Sequence, residues 1–168
     1  MKDNFRIYSD GEEFSAEDAR RLERAMDGFV KSDVPLAVEF IFTDEEEIRR
    51  LNRELRSTDR VTDVLSFPAL DGIKGKALKR RDYPCDIDDE GNLFVGSIAV
   101  CKKRAAEQAE EYGHSYRREL NYLLVHGIMH CLGLRPHDGR RKVGNAGKRG
   151  MYSRQNGNNE RGLTKEDL

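Results

Sequence analysis

The chain has 168 residues, 36 % of them charged and 37 % apolar, with a formal net charge of −1. That length suits one domain around an economical core. No apolar run reaches the roughly eighteen residues of a membrane span, and the start Met-Lys-Asp-Asn-Phe-Arg lacks the apolar centre of a secretion signal, so neither a membrane nor an export route is expected.

Asn4 to Ser9 alternates, with Phe5 and Ile7 on one side, and predicts a short strand. Ser15 caps a helix expected to run to about Val30, with Phe14 as a hydrophobic staple and Leu22, Ala25, Met26 and Phe29 as its buried stripe. Leu36 to Thr43 is rich in β-branched and aromatic residues and predicts a strand. Thr43-Asp44-Glu45-Glu46 reads as a capping box opening a helix that turns Ile48, Leu51 and Leu55 inward. Asp59 and Arg60 break it. Val64 to Phe67 is a short strand stopped by Pro68, which has no N–H to give a ladder.

Residues 69–92 read as a loop, with five basic residues followed by five acidic ones. A solvated, mobile insertion is the plainer expectation for such a charge run, and a substrate-facing flap the sharper one. Leu93 to Val100 returns as a strand. Lys102 to Tyr112 is a helix whose Ala105, Ala106 and Ala109 permit close packing. A last helix runs from the cap Ser115 to the stop Gly133, with Leu120, Leu124, Ile128 and Cys131 on its core face. The order is β-α-β-α-β-β-α-α, which predicts an α+β domain over residues 1–134 with helices on a small sheet.

All four histidines lie between His114 and His137. His126 and His130 are four apart, so a helix puts both imidazoles on one face, one turn apart. Gly133 lets the chain turn so that His137 can close the site. A catalytic zinc wants three such nitrogens and one open position. His114 precedes the helix and reads as structural or surface. The cysteines Cys85, Cys101 and Cys131 are odd in number and scattered, which fits reduced thiols in a cytoplasm. Cys131 points about 100° away from His130 around the helix and reads as core.

A zinc held by histidines acidifies water and polarises a substrate oxygen, which is the chemistry of hydrolysis. The peptidase form H-E-x-x-H carries its base directly after the first histidine. Here that position is Gly127, so peptide hydrolysis is the second reading. Phosphodiester hydrolysis needs a cation for the phosphate. Arg56 is the candidate, although spacing alone favours a surface arginine at a helix C-terminus. The body is net acidic, so any nucleic-acid contact must use local patches.

Several blocks in order resemble the YbeY endoribonucleases: L-N-R-E-L-R-S-T-D-R-V-T-D-V-L-S-F-P (Leu51–Pro68), G-S-I-A-V-C (Gly96–Cys101), E-Q-A-E-E-Y-G-H-S (Glu107–Ser115) and H-G-I-M-H-C-L-G (His126–Gly133). The resemblance implies a mixed four-stranded sheet with helices and one zinc ion on three histidines, His126, His130 and His137. It implies cleavage of single-stranded RNA in ribosomal RNA maturation, including 3′-end processing of small-subunit RNA, and in ribosome quality control. It implies the small ribosomal subunit as partner, no DNA, and a cytoplasmic place of work. Arg56 matches the family's functional arginine, and Asp63 and Ser66 fall in the strand block lining its site. A non-catalytic ribosome-assembly or RNA-binding module is the alternative outside enzymology.

The family pattern H-G-x-x-H-x-x-G-x-D-H places its last histidine three residues after the glycine. Here Pro136 stands there and His137 follows one later. Val61 replaces the family's proline before T-D-V, and Ser97 replaces its aspartate. The tail 135–168 has nine basic and four acidic residues and little apolar periodicity, and reads as disordered. Codons allowed for Leu134 onward, read one base later, spell S-D-H-M-T-E-E-E-K-L-E-M-R-E-K-E. That restores the ligand pair and an acidic amphipathic helix together, and points to a frameshift in the gene or its recorded sequence. The gene sequence after the Gly133 codon decides it: an uninterrupted frame with no such alternative overturns the idea.

Overall fold

The computed structural model describes residues 4–9 and 13–135. His137 and the tail expected to be disordered, from Pro136 onward, lie outside the described residues.

The strands β1 (Phe5–Ser9), β2 (Leu36–Thr43), β3 (Val64–Pro68) and β4 (Leu93–Cys101) form one sheet in the order β1-β2-β4-β3. β1, β2 and β4 run parallel, and β3 pairs antiparallel with β4. The helices are α1 (Ala16–Met26), α2 (Glu45–Arg56), α3 (Lys102–Tyr112) and α4 (Tyr116–Cys131). This is the expected α+β class with a mixed four-stranded sheet.

Strand periodicity sorts the side chains. Leu36, Val38 and Phe40 of β2 join Ile98 and Val100 of β4 in the main core, which α1, α3 and α4 cover. The opposite face carries a smaller cluster, Leu65, Ala99 and Cys101, covered by Ile48 of α2. The sheet is thus enclosed between two unequal helical layers, and the thicker one contains α4.

Three expectations change. α1 ends at Met26, before the expected Val30, because Asp27 leaves helical geometry and Gly28 turns the chain with φ +83°. Leu55 is 58 % exposed rather than inward. It lies two turns past Ile48 on the same stripe, beyond the end of the small cluster, and Asn52 takes the last buried place, its Nδ2 donating to the Arg60 carbonyl at 3.0 Å. The segment 69–92 is no loose insertion. Leu70, Ile73 and Leu78 are buried in the main core, and Leu78 bridges to Ser32. Those anchors follow neither a helical nor a strand period and stand among charges, so no pattern revealed them.

Candidate active site

α4 is the frame of the site. The Ser115 hydroxyl accepts from the Arg118 N–H at 3.1 Å, which caps the helix where expected. Leu120, Leu124 and Ile128 are buried, each contributing about 1.5–3 kcal/mol by leaving water. The helix lies very close to β4: a Cβ on Gly127 would fall 2.6 Å from Ile98 Cγ2. Position 127 therefore faces the sheet and has no room for a side chain. A glutamate there could not serve a ligand at His126, which removes the geometric basis of the peptidase reading.

His126 is buried and His130 stands one turn on, at the mouth of a cleft. Their Nε2 atoms converge to 3.0 Å, with ring centroids 4.7 Å apart and planes inclined by 63°. Tyr122, one turn earlier on the same stripe, stacks on His126 at 6.1 Å. Desolvation on its shielded side, and then the Arg56 charge, hold the His130 pKa below its ordinary value. The neutral ring, with a nitrogen lone pair available, is therefore favoured near neutral pH. Cys131 is core, as expected: burial pushes its thiol up to about 12, so it supplies no thiolate beside the histidines.

The cleft has a volume of about 210 Å³, and Arg56, Thr62, Ser66, Pro68, His126 and His130 all line it. Arg56 arrives from the opposite helical layer. It is the last residue of α2, which Ser57 ends in left-handed geometry at φ +54°. Arg56 Nη2 donates to the Ser66 carbonyl, and the guanidinium carbon sits 5.9 Å from the centre of the Phe67 ring. Two anchors thus hold an otherwise exposed cation across the cleft from two imidazoles. That arrangement can bind an anion on one side and a metal ion on the other.

Asp63 stands one step behind. It is not among the residues lining the cleft. Its carboxylate accepts from Gln108 Nε2 at 3.0 Å and from the Val64 N–H at 2.8 Å, tying the start of β3 to α3. His114 is structural, as read, with its Nε2 2.5 Å from the buried Glu119 carboxylate. Thr62, Pro68, Tyr122, Phe67 and Gln108 were not picked out as site residues. Only Tyr122 carried a signal, its position four before His126.

The family model described as endoribonuclease YbeY matches residues 7–143. Among curated proteins, endoribonuclease YbeY of Clostridium acetobutylicum is 51 % identical over 100 residues, covering 57 % of this chain and 60 % of that protein. The proteins of the same description from Clostridium botulinum strain Alaska E43 and from Acetivibrio thermocellus are 41 % and 46 % identical, over 72 % and 61 % of this chain. The aligned part spans 77 % of the C. botulinum protein and 62 % of the A. thermocellus one, so two of the three are matched over less than two thirds of their length.

Proposed function

Because the chain belongs to the endoribonuclease YbeY family, we propose that it cuts single-stranded RNA at internal phosphodiester bonds and serves ribosomal RNA maturation, with the small ribosomal subunit as its partner in the cytoplasm. One observation carries the reading most: a guanidinium held by the Ser66 carbonyl faces two convergent imidazoles across a single cleft.

Two imidazole nitrogens at 3.0 Å are a donor set that suits a borderline divalent ion such as zinc. No third His, Cys, Asp or Glu joins them among the described residues, and the expected third donor, His137, lies outside them. His126, His130 and His137 would hold the ion, which when bound supplies Lewis acidity and acidified water at the scissile phosphate. The chain's own residues do the rest. Arg56 spends one N–H on Ser66 and keeps others for the phosphate oxygens, where charge grows in the transition state. The Phe67 ring lies beside the guanidinium, 5.9 Å from its carbon, and Thr62 and Ser66 line the same cleft as the cation and the imidazoles.

The decisive experiment measures metal content and cleavage of a single-stranded RNA by the parent, His126→Ala and Arg56→Ala. Zinc should be lost with His126 and retained with Arg56, and cleavage should fall in both. Equal cleavage in all three overturns the reading.

A further inference from the structure

The basic half of the 69–92 segment is the feature that the site leaves unexplained. Pro68 lines the cleft, and the Ala69 N–H still bonds to Val95 of β4 at 3.0 Å. Leu70 and Ile73 then enter the core, and a tight turn follows, with Gly72, Lys74 and Gly75 at positive φ. This turn grips the bend after the histidine helix. The Gly75 N–H donates to the Leu132 carbonyl at 3.2 Å, and a Cβ on Gly133 would lie 2.5 Å from the Lys74 nitrogen. Gly133 is three residues past His130. Lys74 and Lys76 are therefore exposed cations on a fixed strap that runs from the cleft wall to the end of the histidine helix. Neither has a carboxylate partner among the described residues, whereas most arginines of α2 are tied to Glu54 or Asp59.

We propose that the 70–76 strap is a second phosphate-binding surface, on which Lys74 and Lys76 hold the backbone of single-stranded RNA next to the nucleotide cut at Arg56 and the histidines. The inference rests on the RNA reading above. Its physical basis is preorganisation: buried Leu70, Ile73 and Leu78 fix the turn, so little backbone ordering is left for binding to cost. A body that is net acidic needs such a local patch to take up a polyanion. One phosphate neutralised by a lysine releases counterions and makes affinity fall with salt.

The test is an anisotropy titration of a labelled uridine oligomer of about twenty nucleotides across a salt series, with gel-based cleavage alongside. In Lys74→Gln/Lys76→Gln the slope of log affinity against log salt should flatten by about 1.4, roughly 0.7 per phosphate contact, with weaker binding at low salt. Arg20→Gln/Arg21→Gln on α1, which packs on the far strand β1, makes the same charge change and should leave the slope alone. A merely structural role for the lysines at the helix terminus would lower the melting temperature and leave the slope as it was. An unmoved slope, or an equal drop in the α1 pair, overturns the strap. Parent binding without cleavage overturns the activity and leaves the strap to its slope. Parent cleavage with an unmoved slope overturns the strap alone. A parent that neither binds nor cuts overturns both.

Discussion

The two walls of the cleft are built differently. α4 has ten buried residues among its sixteen, whereas α2 buries only Ile48 and Asn52 among its twelve. The imidazoles therefore ride on a helix locked into the core, and the arginine rides on the end of a helix that skims the thinner face. Preorganisation follows burial: the helix turn that carries the two imidazoles and the buried His126 cannot shift without moving the core, while Arg56 depends on one carbonyl and one ring for its place. The locked wall suits a group that must keep fixed geometry, and the looser wall a cation that adjusts to a moving phosphate.

Damage to the two walls should therefore differ in kind. His126→Ala should cause the largest loss, eliminating bound zinc and with it detectable RNA cleavage, as read by metal analysis and gel assay. Arg56→Ala should keep the metal and slow cleavage by about 10²–10³-fold, the scale of removing one transition-state donor, about 2.7–4 kcal/mol. Arg56→Lys should restore little of it, since an ammonium cannot span the Ser66 carbonyl and a phosphate as a planar fork does. Retained zinc with unaltered rates in Arg56→Ala would assign the phosphate to another cation.

The bend after α4 gives the next contrast. Arg135→Asp/Pro136→His places a histidine three residues after Gly133, as the shifted reading of the codons does. Zinc should then bind more tightly in competition with a chelator than it does to the parent. No gain would mean that His137, or solvent, already completes the site as well.

Gly127→Ala should act through the locked wall alone. The added methyl meets Ile98 at 2.6 Å, and overpacking of this kind costs about 1–3 kcal/mol. The melting temperature should fall, and the drop caused by Gly127→Ala should be smaller in an Ile98→Ala background, which removes both of the γ carbons that the methyl meets. A full-strength melt in Gly127→Ala would show that α4 can slide on β4, and that the imidazole pair is less fixed than its burial implies.

Much of this was legible in advance, for a reason that differs by element. β2 and α3 begin and end where expected, because β-branched alternation and an alanine-rich stripe are local signals. The imidazole pair was legible because four residues are one helical turn. Arg56 was legible only through the resemblance, since its role depends on α2 reaching around the edge strand β3 to a site built by α4, a long-range relation that spacing does not encode. The strap was illegible for the same reason: its turn is pinned by the bend after α4 and Leu78 by the link at Ser32, both remote in sequence. Asp63, expected to meet substrate, stands between two residues of the cleft wall with its carboxylate engaged by its neighbours.

That last residue separates support from contact most finely. Asp63 is adjacent to two residues that line the cleft, Thr62 and Val64, and its own carboxylate is occupied by Gln108, the Val64 N–H and the Thr62 hydroxyl. Asp63→Ala removes the acceptor that these three donors share, at about 1–3 kcal/mol where they are buried, so stability should drop. Cleavage should fall by less than the Arg56 effect, with zinc content unchanged, because the seating of β3 and of Thr62 is disturbed and the cation is not. Asp63→Asn keeps one acceptor oxygen, enough for Gln108 or for the Val64 N–H but not both, and turns an NH2 toward the other donor, so it should recover only part of the melting temperature and of the rate together. A variant that melts like the parent yet cuts as poorly as Arg56→Ala would move Asp63 from behind the wall into the cleft, and the arginine would no longer be alone in meeting the substrate from β3's side.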